Sequence, residues 1–163
     1  MIRDAIAADR KEIVEIASAT GLFSLADLAE FDAMASEHLN GNDNTQRWIV
    51  EESSEQADSG LRGAAYFAPE PFAEGVWNLY FIGVPPHEQG KGHGRSLVGH
   101  VEKELQQRGQ RLLLVETSGT DSFERTRAFY RKIGFSEEAR IRDYYSPDDD
   151  KIIFRKVIGT PAR

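Results

Sequence analysis

Apolar positions along this chain alternate between a strand-like rhythm and a helical one, in an order that outlines a fold. A short strand is predicted over Met1–Ala5, followed by a helical stretch over Asp9–Thr20 with Ile13, Val14, Ile16 and Ala17 on one side. Gly21 ends it, since glycine readily takes the left-handed conformation of a helix terminus. Ser24 is placed to cap a second helix carrying Leu25, Leu28, Phe31, Met34 and Leu39. Gly41-Asn42-Asp43-Asn44 reads as a turn and Arg47–Glu52 as a strand. The polar run Ser53–Gly60 reads as a hairpin-like connection to a strand over Leu61–Ala68, which Pro69 and Pro71 stop. The strongest strand signal is Val76–Val84, nearly all apolar or aromatic through Trp77-Asn78-Leu79-Tyr80-Phe81-Ile82 and ended by Pro85-Pro86.

A helix is expected from about Gly92 to Arg108, with Leu97, Val98, Val101 and Leu105 turned inward and Gly109 as its stop. Leu112–Thr117 is a short, mostly buried strand. Asp121 followed by Glu124 matches a capping box for a helix that ends at Gly134. Strands over Phe135–Arg142 and Ile152–Val157 close the chain. Strands joined by helices predict an α/β layering around a mixed sheet, with 76–84 and 112–117 parallel across the 92–108 helix. A length of 163 residues fits a single domain spanning 1–163.

Composition then removes several classes of function. With 40% hydrophobic and 29% charged residues the chain is an ordinary globular sequence. No apolar run approaches the roughly 18 residues of a membrane helix, so no membrane partner is expected. The opening Met1-Ile2-Arg3-Asp4 lacks the apolar core of a signal peptide, and a cytoplasmic location is expected. The absence of cysteine excludes disulfides, thiolate catalysis and cysteine-bound zinc. The first 60 residues carry 4 basic against 13 acidic side chains and the remainder 16 against 14. An acidic first third disfavours nucleic acid and suits either a solvated surface or a cationic small-molecule substrate.

The informative chemistry sits in Val84-Pro85-Pro86-His87-Glu88-Gln89-Gly90-Lys91-Gly92-His93-Gly94-Arg95-Ser96. Three glycines in five positions lie between a buried strand and an amphipathic helix. Glycine lets backbone N–H groups turn into one concavity, and the helix N-terminus adds partial positive charge, so the junction suits an anion such as a diphosphate. Lys91 is followed by Gly92, which fails the Walker pattern, and Leu97 stands where a dinucleotide fingerprint needs glycine. His87-Glu88 opens like a zinc-protease motif, but Lys91 replaces the second ligand; no metal site is indicated. His38 and His100 have no visible partner. Asp148-Asp149-Asp150 lacks calcium-ligand spacing and reads as a charged turn.

Gln89-x-x-Gly92-x-Gly94 after an apolar strand resembles the acetyl-CoA loop of the GNAT superfamily, the Gcn5-related N-acetyltransferases. Arg127-Ala128-Phe129-Tyr130-Arg131-Lys132-Ile133-Gly134-Phe135 resembles that family's later helix. The resemblance implies a GNAT fold, a mostly antiparallel sheet with a parallel strand pair at the cofactor cleft and about four flanking helices. It also implies acetyl-CoA as cosubstrate and an amine acceptor, a small molecule or a peptide, in a monomer or homodimer. Ile82 and Val84 match the backbone positions that meet the pantetheine arm. Gln89, Gly90, Lys91, Gly92, His93, Gly94, Arg95 and Ser96 match the diphosphate loop, with His93 in a variable slot.

The same resemblance gives Tyr130 the general-acid position; a phenol near ~10 donates to a thiolate near ~8.5 without being ionised at neutral pH. From the residues alone, a packed core tyrosine remains the alternative reading of Tyr130. Asn78 stands where histone-type members carry a glutamate base. Glu116 matches a glutamate of the ribosomal-protein N-terminal acetyltransferases and is otherwise a solvated strand-end acid. Arg142-Asp143-Tyr144-Tyr145 resembles their paired acceptor-side tyrosines, so Asp143 and Tyr144, with Asn78, are the substrate candidates. A CoA-binding module without turnover and a protein N-terminal acetyltransferase remain the alternative readings.

Overall fold

Alternation of buried and open positions sets the sheet, and glycine torsions set where its helices stop. The computed structural model describes residues 1–54 and 60–159. In chain order it holds β1 (Ile2–Asp4), α1 (Arg10–Ala19), α2 (Leu25–Asn40), β2 (Arg47–Glu52), β3 (Leu61–Pro69), β4 (Val76–Gly83), α3 (His93–Gln107), β5 (Leu112–Ser118), α4 (Glu124–Lys132), β6 (Ser136–Ser146) and β7 (Asp149–Val157). The element order matches the expectation from the sequence. The connection expected over Ser53–Gly60 lies outside the described residues at 55–59. Seven strands follow the order β1-β2-β3-β4-β5-β7-β6. β4 and β5 pair in parallel from Val76–Leu112 to Leu79–Val115, while β1–β2, β2–β3, β5–β7 and β6–β7 pair antiparallel. The mixed sheet and four helices are those of the GNAT fold.

Two compact units make up the described residues, and their boundaries run through β4 and α3. The first comprises 1–68 and 81–101. Its core joins Ile13, Ile16 and Ala17 of α1 to Phe31 and Ala35 of α2 and to Trp48, Val50, Ala64 and Phe81 of the strands. Phe31 contacts Trp48 and Phe81 edge-on, with ring centroids 5.6 and 4.9 Å apart, and Trp48 stacks on Tyr66 at 4.5 Å. Edge-on and offset pairs of this kind add to the area they bury. Gly63 is required by proximity: a Cβ there would lie 2.8 Å from Leu97 Cδ1 and 3.0 Å from the Gly83 carbonyl oxygen. Leu97, Val98 and Val101 are buried as the helical period predicts.

Ser24 caps α2 as expected, its Oγ accepting from the Asp27 amide at 3.1 Å. Leu25, however, is 90% exposed. It is the first residue after the cap, about 120° around the helix from buried Phe31, so it falls outside the inward stripe.

The second unit comprises 69–80 and the described residues from 102 on. Val76, Leu79, Leu113, Val115, Ile152 and Phe154 form its strand core, and Leu105 of α3 is fully buried. Gly109 and Gly134, at φ 69 and 99, stop α3 and α4 as expected. The capping box expected at Asp121 is not made. A 3₁₀ turn over Asp121–Phe123 precedes α4, and Glu124 turns forward to Arg127 (2.8 Å) and Arg131 (3.0 Å). Two guanidiniums out-compete one backbone amide for that carboxylate. β6 and β7 extend further than expected, so Asp149 and Asp150 lie in β7 and the tight turn is Pro147-Asp148, with Asp148 at φ 64.

Phe154 is fully buried, with the Tyr130 ring 5.7 Å away. Phe154→Ala removes a ring the surroundings cannot refill and is expected to lower the unfolding free energy by about 3–5 kcal/mol, measured by urea titration.

Candidate active site

The glycine-rich junction takes its shape from two backbone torsions. Gly90 and Gly92 sit at φ 77 and 94, where side-chain-bearing residues are strained, and a Cβ at either would meet nothing within 4 Å. Glycine is therefore needed for conformation, and the space beside it is open. After β4 ends at Gly83, Gln89 Nε2 folds back to donate to the Val84 carbonyl at 3.2 Å. The Ser96 amide donates to the Gly92 carbonyl at 3.0 Å, which starts α3. The first amides of a helix have no partner within it and carry its positive end. Lys91, Arg95 and Ser96 are exposed around them. An anion with several oxygens suits this junction.

Beneath the loop lies a residue that the sequence marked only as part of an incomplete zinc-protease pattern. Glu88 has a side chain only 4% exposed, and its carboxylate meets Arg62 Nη1, Lys91 Nζ (3.3 Å) and His93 Nε2 (3.2 Å). Burial pushes this carboxyl up, but Lys91 and Arg62 outweigh it and hold the group below the usual carboxylate range. No local signal marks Glu88 as buried, because a glutamate between Pro86 and Gly90 reads as exposed. Its partner Arg62 lies on β3. His93, expected in a variable slot, also faces Glu51 Oε2 through Nδ1 at 3.2 Å. His38, which showed no partner in the sequence, accepts from Trp48 Nε1 at 3.2 Å.

A second cluster is set by strand register in the other unit. Asn78 pairs with Leu114 of β5, and Glu116, two residues on, points to the same face. Glu116 in turn pairs with Ile153 of β7, which puts Lys151 on that face as well. Asn78 is 1% exposed; its Nδ2 donates to Glu70 Oε1 at 2.8 Å and to Glu116 Oε1 at 3.4 Å. Its Oδ1 is buried with no hydrogen-bond partner among the described residues. Tyr80 donates to the same Glu70 oxygen at 3.0 Å. Lys151 Nζ lies 2.9 Å from Glu116 Oε2 and 3.6 Å above the Tyr144 ring. Burial works to lower this ammonium, but bonds to Tyr144 and Glu116 outweigh it and raise its pKa.

The structure thus brings Asn78, Glu116 and, through Lys151, Tyr144 together. Asp143 is engaged elsewhere: at φ 53, it donates its amide to Asp150 Oδ1 (2.9 Å) and accepts from the Asp148 amide (2.8 Å) within the β6–β7 hairpin. Tyr130 is 3% exposed against Phe135 and Phe154, and its hydroxyl has no hydrogen-bond partner among the described residues. Burial pushes this phenol above its ordinary value. Arg127, 6% exposed, anchors the start of α4 by donating to the carbonyls of Ser118 (2.7 Å) and Thr120 (2.8 Å). Among the described residues no group of three or more His, Asp or Glu side chains is placed to hold a metal ion. No described helix is long and apolar enough to cross a membrane.

A strand, a glycine-turned loop and a helix, followed by a later helix bearing a buried tyrosine, stand in the order that the resemblance implied. The family model for the acetyltransferase (GNAT) family matches residues 11–135, and the chain belongs to that family. It is similar to the [ribosomal protein bS18]-alanine N-acetyltransferase of Escherichia coli strain K12, 34% identical over 73 residues. That match spans 45% of this chain and 48%, about half, of the E. coli protein. A crystal structure of a Desulfovibrio desulfuricans protein described as an acetyltransferase of the GNAT family superposes with TM-score 0.88 at 33% identity, covering 97% of this chain and 98% of that one. A GNAT-superfamily phosphinothricin acetyltransferase of Sinorhizobium meliloti, crystallised with acetyl-CoA, shares the fold at TM-score 0.76 and 21% identity, covering 100% of this chain and 91% of that one.

Because the Glu88 pKa is lower folded than unfolded, its carboxylate adds stability above the ordinary carboxylate range, and this is lost as pH falls through the folded value. The melting-temperature gap between wild type and Glu88→Gln is expected to be widest near neutral pH and to close below about pH 4, as thermal melts across the acid range would show.

Proposed function

We propose that this chain transfers an acetyl group from acetyl-CoA to a primary amine, a small molecule or an amino acid, with Tyr130 as general acid. In this reading residues 1–163 work as one N-acetyltransferase domain in the cytoplasm. The observation that carries it is the open space beside Gly90 and Gly92 at the head of α3, in a chain of the GNAT family. The donor set fits the cosubstrate: helix amides, Lys91 and Arg95 suit a diphosphate, and the Glu88 carboxylate below them is neutralised by Arg62 and Lys91. Crystals of the S. meliloti relative with acetyl-CoA support the same cosubstrate.

Gln89, Gly90, Lys91, Gly92, His93, Gly94, Arg95 and Ser96 form the diphosphate loop in this reading. Ile82 and Val84 offer main-chain groups to the pantetheine arm, the Val84 carbonyl sharing its lone pairs with Gln89. When bound, acetyl-CoA supplies a thioester carbonyl that a neutral amine can attack. Tyr130 then gives its proton to the leaving sulfur. Burial keeps this phenol protonated at neutral pH and makes it a weaker acid than a free tyrosine. Glu116 orients the acceptor's ammonium or relays its proton through water. Both its oxygens already have partners, Asn78 and Lys151, so only their remaining lone pairs serve that task. Asn78, Asp143 and Tyr144 line the acceptor side. Asn78 contributes its unpaired Oδ1 there.

A second reading, a protein N-terminus as acceptor, is favoured by the E. coli relative, whose name gives it a ribosomal-protein alanine as substrate. Purified protein with acetyl-CoA and a panel of amino acids, polyamines, aminoglycosides and alanine-terminated peptides is expected to release CoA thiol with at least one acceptor. Tyr130→Phe is expected to cut kcat by about 10²–10⁴-fold while CoA still binds. CoA binding with no thiol release from any acceptor would replace the enzyme with a CoA-binding regulatory module.

A further inference from the structure

The two ends of the glycine-rich loop are joined by side chains. Glu88 precedes the glycine-rich segment 89–92 and His93 follows it, and Glu88 Oε2 lies 3.2 Å from His93 Nε2. The other ring nitrogen lies 3.2 Å from Glu51 Oε2 on β2, an oxygen that has no hydrogen-bond partner among the described residues. The other Glu88 oxygen takes Arg62 of β3, whose Nη2 donates to Ser53 Oγ at 3.1 Å. Lys91, inside the loop, reaches that oxygen too, at 3.3 Å, and His87 lies 3.7 Å from it. The Glu88 side chain is 4% exposed and that of His93 is 20% exposed. A carboxylate is an unfavourable group to bury at the base of an anion site: it costs desolvation, and it repels the ligand. Two features offset both costs here. Arg62 and Lys91 neutralise the charge, and the bridge to His93 closes the loop.

The geometry points to Glu88 as a positioning residue for the cosubstrate, with His93 as its partner in a clasp. Segment 89–92 carries two glycines at positive φ, and such a segment has much conformational freedom to lose when it grips a ligand. A side-chain contact across its ends, anchored to β3 through Arg62, removes part of that freedom before the ligand arrives. Pre-organisation of this kind is read in affinity rather than in the chemical step. Glu88 touches neither the transferred group nor the diphosphate; it acts through the loop. Lys91 then serves twice, as a rim cation and as a counter-charge to Glu88. This rests on the loop being the CoA site of the proposed function.

The test is calorimetric CoA binding and steady-state kinetics on the full chain. Wild type is measured first; failure of wild type to bind CoA overturns the proposed function and the clasp with it. With wild-type binding in place, Glu88→Gln is expected to weaken the CoA Kd and raise the acetyl-CoA KM by about tenfold, while kcat at saturation stays within about twofold. His93→Gln, at a less buried position, keeps the test decisive if Glu88→Gln does not fold, and is expected to move the same two quantities the same way. The double variant is expected to be no worse than the more severe single one, because both remove one bridge. Wild-type CoA affinity in both folded single variants, or a fall in kcat with KM unchanged, overturns the clasp and leaves the proposed function intact.

Discussion

Everything functional in the first unit depends on two backbone torsions that only glycine adopts without strain. Gly90 and Gly92 turn the chain out of the Pro86–Glu88 turn and into α3 at φ 77 and 94. A residue with a Cβ at either position would have room for its side chain but not for its torsion. The helix start, the direction of its free amides and the open space beside them all follow from those two angles. Gly63 and Gly83 meet a different demand in the same unit. A Cβ at Gly83 would lie 2.7 Å from Ile16 Cγ2 and 2.7 Å from Phe81 Cζ, so glycine there permits packing rather than conformation.

How legible each feature was depended on how local its cause is. The order of elements, the inward face of α3 and the stops at Gly21, Gly109 and Gly134 follow from spacing and from single residues, so the chain states them openly. The glycine-made turn into α3 was legible for the same reason. The failures share the opposite property. Asp121-x-x-Glu124 has capping-box spacing, yet Glu124 turns to Arg127 and Arg131, a competition that spacing cannot express. Leu25 fits an apolar count but not the angular stripe that Phe31 fixes. Glu88 looks like surface charge until β3 delivers Arg62 to it, from 26 residues away. Buried charge is the feature least visible in sequence, because the counter-charge that permits it usually comes from another element.

The polar cluster of the second unit shows the same dependence on register. Glu70, Asn78, Glu116 and Lys151 are spread over 82 positions, and nothing in the chain links them until β4, β5 and β7 are aligned. The expectation for Asn78 and Glu116 was drawn from family resemblance, and the lysine and the second glutamate had no such marker. Asn78 sits between two carboxylates as a donor to both, which leaves its buried carbonyl oxygen without a partner. Flipping the amide would satisfy that oxygen no better and would turn it toward Glu70 and Glu116. The two acids therefore fix the orientation of the amide, and the orphaned acceptor is a consequence of that choice.

In the proposed reaction the two acid–base tasks fall to groups in contrasting surroundings. Tyr130 is enclosed by aromatic rings, and burial is what raises its pKa, so the phenol is fully protonated at neutral pH. Glu116 is partly open and engaged by an amide and an ammonium. The paired ammonium has a further effect on any amine that approaches Glu116. Lys151 is held in its charged form by that same carboxylate and by Tyr144. An incoming ammonium therefore meets a like charge already in place beside the acid. A neighbouring cation of this kind disfavours the protonated form of an amine and favours the neutral one, which is the only form that can attack a carbonyl. In that proposed reaction Lys151 would therefore do more than serve as counter-ion to the partly exposed Glu116: it would bias an acceptor there toward its nucleophilic state.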